Sequence, residues 1–258
     1  MSSIIFISLV ILAMLVDWIC GLVVTAFIAI GLYEFYTMLE KKGISIYKYF
    51  GICMGIVAPL SIVFRFEPTK GWELLFIVLA LLFLIVMQFR RRESSGVIVG
   101  ISTTIFGILY VSWCFSFLIK IRYLPQGLNF LAAILLITKL GDIGAYLIGV
   151  RFGRTPLIPH ISPKKSVEGA LGGLIFSILG ALVSKPFLNL AYTHLILIGI
   201  VFGVLAQLGD LSESLMKRDC QVKDASNLIP GMGGFLDIMD SLFFTAPAFY
   251  FYISTFLG

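Results

Sequence analysis

The sequence predicts an all-α fold, a polytopic membrane bundle of about nine transmembrane helices. Of its 258 residues, 59% are hydrophobic and only 13% are charged, which is far more apolar than a soluble domain of this size. The apolar residues also form repeated stretches, several of them in the range of about 17–25 residues that a helix needs to cross a bilayer. We therefore expect one integral membrane unit without a soluble domain.

Hydropathy divides the chain into nine apolar segments. The first is short, and together with the second it could form a tight hairpin or one long tilted helix, so eight spans remain an alternative. We assign residues 1–126 to N-terminal spans and residues 127–258 to C-terminal spans that carry the functional site. The predicted spans are 4–16, 19–38, 47–64, 72–89, 97–119, 128–150, 168–184, 193–207 and 241–257.

The basic residues are distributed unevenly between the loops. Of the 19 Lys and Arg residues, 13 fall in even-numbered loops, 5 in odd-numbered loops, and Lys139 lies inside a span. Loops rich in Lys and Arg stay in the cytoplasm, so both termini are expected outside and the polar segments near residues 160 and 220 on the cytoplasmic face of the cell (inner) membrane. Basic residues confined to short loops also argue against a nucleic-acid partner.

A first charged group lies within the sixth span, in TKLGDIGAYLIGVRFGR. Lys139, Asp142 and Tyr146 are spaced i, i+3 and i+7 and therefore share one helix face, while the glycines of this span permit close helix approach. An acid inside a span should face a polar cavity or a partner. The alternative is a Lys139–Asp142 pair that only neutralises itself.

A second charged group lies in the loop HISPKKSVEGALGG, just before the seventh span. Ser166 is a plausible N-cap and Glu168 falls in the first turn that follows. Lys164 and Lys165 beside free helix N–H groups would bind an anion. An inside anchor with an ordinary helix cap explains the same residues equally well.

The third group, LGDLSESLMKRDCQVKDASNLIPGMGGFLDIMDS, spans residues 208–241. Its first part is helical in pattern, with Asp210, Glu213 or Ser214, and Lys217 along one face. Pro230 and the glycines that follow would let backbone N–H groups approach phosphates. Asp237 and Asp240, spaced i and i+3, could hold a divalent cation. The alternative is a solvated interfacial loop with carboxylates at a helix N-terminus.

This third group resembles the signature of the phosphatidate cytidylyltransferases, S-x-x-K-R-x-x-x-x-K-D, then P-G-H-G-G, then D-R-x-D-S. The segments LGDIGAYLIGVRFGR, SPKKSVEGALGG and GLYEFYTML also look like segments of that family, so the resemblance covers the whole chain. Two positions depart from the pattern: Met232 replaces the usual His and Ile238 the usual Arg.

The resemblance implies a reaction in which CTP and phosphatidic acid give CDP-diacylglycerol and pyrophosphate. It implies Mg²⁺, with room for a second cation, at Asp210, Asp224, Asp237 and Asp240. The implied catalytic residues are Asp142, Lys164, Lys165, Asp210, Lys217, Arg218, Lys223 and Asp224. The implied substrate-binding residues are Ser166, Glu168, Ser214, Gly231, Gly233 and Gly234.

Other functions are compatible with the residues alone. A CTP-dependent polyprenol or lipid kinase would release CDP instead of pyrophosphate, and a cation-coupled transporter could use Lys139 and Asp142 as an ion path. The substitutions at Met232 and Ile238 also leave open a catalytically silent scaffold. Besides the two substrates, the expected partner is the lipid bilayer, and a homodimer is allowed.

Overall fold

The computed structural model describes residues 16–66, 71–89, 95–226 and 233–256. The predicted span 4–16 falls almost wholly outside these residues, as do Gly231 and Met232. Contacts divide the chain into two compact units. Unit 1 is Met1–Lys120 with Cys220–Leu236, and unit 2 is Ile121–Asp219 with Asp237–Gly258. The predicted division at residue 126 separates two groups of spans and not two compact units, so it stays a prediction.

Unit 1 is built from consecutive apolar helices. Its core lies where α1 packs on α2, and Tyr36 is fully buried there, with its hydroxyl donating to the carbonyl of Thr104 at 2.7 Å. The ring fits because Gly51 and Gly107 face it, where a Cβ atom would lie only 2.5 Å and 2.6 Å from Tyr36 atoms. The helices are α1 (Asp17–Lys41), α2 (Lys48–Val63), α3 (Trp72–Gln88), α4 (Val97–Gly107), a π-helical segment (Ile108–Trp113) and α5 (Cys114–Tyr123), whose last residues pass into unit 2.

Unit 2 contains helices and a short antiparallel hairpin. Its centre is the close packing of α6 on α7, where a Cβ atom at Gly144 would overlap Phe176 and one at Gly141 would overlap Ser177. The prediction that the glycines of this span permit close helix approach is confirmed. The elements are α6 (Gly127–Phe152), β1 (Pro156–Ile158), β2 (Ser162–Ser166), α7 (Val167–Val183), α8 (Lys185–Leu188), α9 (Tyr192–Asp219), α10 (Phe235–Met239), which begins in unit 1, and α11 (Leu242–Phe256).

The predicted all-α membrane class is confirmed, but the predicted number of spans is not. Within the described ranges, four helices are long and apolar enough to cross a membrane: Asp17–Lys41, Val97–Arg122, Gly127–Phe152 and Tyr192–Asp219. Four further apolar helices, α2, α3, α7 and α11, have 15–17 residues. They lie where spans were predicted, yet each is shorter than the about 20 residues that a straight helix needs to cross a hydrocarbon core about 30 Å thick.

Candidate active site

A cavity of about 790 Å³ lies within unit 2. This volume is in the range typical of small-molecule sites, about 300–1,000 Å³. Its walls come from α6, α7 and α9, from strand β2, and from the chain around α10. The cavity brings together charged residues that are far apart in the sequence: Lys139, Asp142, Lys164, Lys165, Asp210, Asp237 and Asp240.

Helix α6 contributes Lys139, Asp142 and Tyr146, which all line the cavity, as their shared face predicts. The Lys139 Nζ lies 2.9 Å from Asp142 Oδ2 and also donates to the Ile238 carbonyl at 3.0 Å and to Ser241 Oγ at 3.2 Å. The lysine therefore does more than neutralise its neighbour. It ties α6 to the chain around Asp240.

The hairpin brings Lys164 and Lys165 to the cavity, because β2 runs along its wall and pairs with β1. Lys165 forms an ion pair with Asp210 of α9. Residues Ser162–Ser166, which were predicted to lie in a loop, thus form a strand. The polar sequence HISPKKS did not indicate a strand, because it lacks alternating apolar residues.

Ser166 is the N-cap of α7, as predicted, and its Oγ accepts a hydrogen bond from the Gly169 N–H at 3.1 Å. Glu168 accepts from the backbone N–H groups of Arg154 and Thr155 at 3.1 Å and 3.2 Å. Ser166 lines the cavity, whereas Glu168 holds the chain that enters the hairpin.

On α9, Asp210, Glu213 and Lys217 follow one another along the helix at the predicted spacing, and Lys217 bridges two carboxylates. Its Nζ lies 2.8 Å from Glu213 Oε2 and 2.5 Å from Asp237 Oδ1. The Glu213 side chain is only 2% exposed, and its other oxygen has no hydrogen-bond partner among the described residues. Arg218 instead donates from Nε to the Ile161 carbonyl at 3.0 Å, next to the hairpin.

Asp240 lines the cavity close to other carboxylates. Burial raises its pKa well above the ordinary value, and the neighbouring carboxylates of Asp210, Glu213 and Asp142 raise it further. Gly209 makes this crowding possible, because any Cβ there would collide with the Asp240 carbonyl. Close carboxylates of this kind favour either a shared proton or a bound cation.

Across the part of the chain that the structure describes, no three His, Cys, Asp or Glu side chains are gathered closely enough to hold a metal ion by themselves. A magnesium ion does not need such a cage, because it is commonly bound by one or two carboxylates together with substrate phosphates and water. The neighbouring pair Asp210 and Asp240 fits that requirement.

Several predicted residues do not line the cavity. Lys223 and Asp224 are exposed, Ser214 is half-buried, and Gly231 lies outside the described residues. Gly233 has a φ of +87°, a left-handed conformation that favours glycine, and Gly234 follows it. Phosphate binding by these glycines and cation binding by Asp224 stay predictions.

Other residues of the site were not assigned a role from the sequence. Gln207 lines the cavity, and its Nε2 donates to the Ala170 carbonyl at 2.9 Å. Ser177 and Gly203 form part of the wall beside it. The position of an amide side chain at the end of an apolar span could have marked Gln207 as a site residue. Nothing in the sequence around Ser177 marked that residue.

Comparison with known proteins adds a family. The model of the cytidylyltransferase family matches residues 1–256. The chain is 31% identical to the phosphatidate cytidylyltransferase of Bacillus subtilis (strain 168), over 99% of this chain and 95% of that protein. It is 33% identical to the phosphatidate cytidylyltransferase of Synechocystis over 94% and 90%, and 33% identical to that of Staphylococcus saprophyticus over 84% and 85%.

Proposed function

We propose, since the chain belongs to the cytidylyltransferase family, that it condenses CTP with phosphatidic acid to give CDP-diacylglycerol and pyrophosphate. The observation that carries this proposal is the cavity of unit 2, in which lysines and carboxylates from distant parts of the sequence meet. Such a mixture suits two phosphate-bearing substrates and a cation. The named relatives favour this reaction over the kinase and transporter alternatives.

The chemistry needs no covalent intermediate. A phosphate oxygen of the lipid attacks the α-phosphorus of CTP, and the bond from that phosphorus to the bridging oxygen of pyrophosphate breaks. A phosphate monoester is already ionised near neutral pH, so no strong general base is required. The task of the protein is to bring two anions together and to neutralise the charge that develops on the leaving group.

Lys164 and Lys165 are suited to the phosphates of CTP. Both line the cavity from the same strand, next to the N-terminus of α7. Lys165 is paired with Asp210, so an incoming phosphate would replace a carboxylate as the partner of this lysine. Lys217 is more enclosed, and its bond to Asp237 gives it a role in placing that carboxylate.

The carboxylates support a requirement for Mg²⁺. Asp210 and Asp240 are close enough to raise the pKa of Asp240, and Asp237 lines the same cavity. These residues would hold the ion together with phosphate oxygens. The ion would supply charge neutralisation at the phosphates. Asp142 accepts a hydrogen bond from Lys139 Nζ at 2.9 Å and would order that lysine.

The active site is proposed to open at the cytoplasmic face of the inner membrane. The excess of Lys and Arg in the even-numbered loops supports this orientation, since two of those loops supply Lys164, Lys165 and Lys217. CTP is then available from the cytoplasm, and the acyl chains of phosphatidic acid remain among the helices.

The direct test is an assay of purified protein with CTP labelled in its base, phosphatidic acid and MgCl₂. The expected products are labelled CDP-diacylglycerol and one pyrophosphate per turnover. Release of labelled CDP with a phosphorylated lipid would instead identify a kinase. No turnover, together with cation flux in proteoliposomes, would refute the proposal in favour of a transporter.

A further inference from the structure

Glu34 is a buried acid of α1 that the reaction described above does not use. Its side chain is 1% exposed although it lies in an apolar helix of unit 1. Burying a carboxylate is strongly unfavourable unless both of its oxygens accept hydrogen bonds. The identity of its donors therefore indicates what this acid does.

Among the described residues, Glu34 accepts hydrogen bonds from Ser226, Phe235 and Leu236, which all belong to unit 1. Oε1 accepts from the Ser226 hydroxyl and from the Phe235 N–H, the latter at 2.9 Å. Oε2 accepts from the Leu236 N–H, also at 2.9 Å. One carboxylate thus binds two points of the chain that are nine residues apart in sequence.

Phe235 and Leu236 are the first two residues of α10. The first N–H groups of a helix have no partner within the helix, and a negative charge is favourable beside them. Glu34 supplies both the acceptors and the charge. In this way an acid from the second predicted span caps a helix located 201 residues further along the chain.

The contact has an apolar part that is separate from the carboxylate. The Phe235 ring lies 4.7 Å from the Phe27 ring and 5.9 Å from the Phe115 ring, measured between centroids. A Cβ atom at Gly31 would lie 3.3 Å from a Leu236 methyl group. Packing therefore places the side chains of the first turn, while Glu34 fixes the direction of its N–H groups.

We propose that Glu34 is a positioning residue that fixes the start of α10 and thereby the backbone that carries Asp237. Asp237 directly follows Leu236, so an error in the direction of the first turn moves its carboxylate. The consequence for catalysis rests on the proposed function, in which Asp237 helps to hold a cation. The capping itself does not depend on that function.

The decisive variant is Glu34→Gln in the full-length protein in detergent. Glutamine keeps the shape but has one acceptor oxygen, so at least one of the two backbone N–H groups faces an amide nitrogen. We expect hydrogen exchange in peptides covering residues 233–241 to be about tenfold faster, the factor that corresponds to about 1.4 kcal/mol for a lost buried hydrogen bond. Exchange within α6 and α7 should not change.

The matched control is Glu40→Gln, on the same helix. Glu40 is 46% exposed and pairs with Lys48 of α2 at 2.9 Å. This variant should leave exchange at 233–241 and enzyme activity unchanged. If both variants change exchange equally, the effect belongs to α1 in general and the proposal is wrong.

Activity provides the second readout. Glu34→Gln should lower kcat at least fivefold and raise the magnesium concentration for half-maximal rate, while the KM for phosphatidic acid stays constant. Faster exchange with unchanged kinetics would overturn the positioning role. If the wild-type protein makes no CDP-diacylglycerol, the proposed function fails, and the exchange result still decides whether Glu34 holds α10.

If Glu34→Gln does not fold, Ser226→Ala serves as the second variant. It removes one donor and leaves the carboxylate with both backbone N–H groups. We expect exchange at 233–241 to be two- to fivefold faster, with a smaller loss of kcat. Unchanged exchange and kinetics in this folded variant would reject the proposal.

Discussion

Lys217→Met is the substitution for which the structure gives the clearest stability prediction. The lysine is 12% exposed, and its two partners, Glu213 and Asp237, are 2% and 13% exposed, so solvent screens these interactions little. A hydrogen bond to a charged group contributes about 1.5–3 kcal/mol, and Lys217 makes two of them. Removing one member of a buried pair destabilises by about 3–5 kcal/mol, because the remaining charge is left without a partner.

We therefore expect Lys217→Met to lower the free energy of unfolding by about 3–5 kcal/mol. The measurement is an unfolding titration with sodium dodecyl sulfate in mixed micelles, followed by circular dichroism. Lys41→Met is a suitable control, since this lysine is exposed at the end of α1 and its loss should change stability by less than about 0.5 kcal/mol.

The double variant Lys217→Met, Glu213→Gln tests the physical reason. Once Glu213 is neutral, no buried charge is left unpaired at that position, so the double variant should be more stable than Lys217→Met alone. A loss below 1 kcal/mol in the single variant would refute the reasoning. So would strictly additive effects in the double variant.

Two further substitutions separate stability from activity. Asp240→Asn should lower the rate of CDP-diacylglycerol formation at least about a hundredfold, because a buried charge that stabilises the transition state is lost. The same variant should be more stable than wild type in EDTA, by a margin that widens as the pH rises above the ordinary Asp value of 3.8. The sign follows because a raised pKa makes the folded protein bind more protons than the unfolded chain, so wild-type stability falls with rising pH while the Asn variant is unaffected. Melting temperatures between pH 5 and pH 8 measure this, and a constant difference would contradict it. Lys165→Met should lower kcat/KM for CTP at least about tenfold. Its stability should change by less than about 1 kcal/mol, since Lys165 and Asp210 are 29% and 34% exposed. Initial rates at varied CTP test the first part, and equal kcat/KM would exclude Lys165 from CTP binding.

Hydropathy located the helices well, because apolar stretches have a direct physical cause in membrane helices. It could not decide whether a helix of 15–17 residues such as α2 or α7 crosses the bilayer, since tilt and packing settle that question. Helical periodicity also placed Lys139, Asp142 and Tyr146 on one face, and all three line the cavity.

Contacts between residues that are far apart in the sequence could not be predicted from local sequence patterns. The sequence indicates that Lys217 follows Glu213 by one helical turn, but not that Asp237 completes the bridge. The contact between Glu34 and Leu236 joins residues 202 positions apart, and no local pattern encodes it. The hairpin around Lys164 was missed for a different reason: β1 has only three residues and β2 is polar, so neither strand shows an alternation of apolar and polar residues.

The balance of charge in the cavity explains why lysines and acids coexist there. Four carboxylates and three ammonium groups line it, and the crowding of carboxylates around the buried Asp240 raises its pKa. On the proposed function, binding of CTP with Mg²⁺ would require these side chains to exchange partners. Phosphates would take over lysines such as Lys165, and Asp210, released from that pair, would hold the cation together with Asp240. A site with only lysines would bind the nucleotide without the ion, and a site with only acids would bind the ion and repel the nucleotide. Each lysine that binds a phosphate would release a carboxylate for the cation. The affinity for CTP should therefore rise with the magnesium concentration, and the affinity for magnesium should rise with the CTP concentration by the same factor.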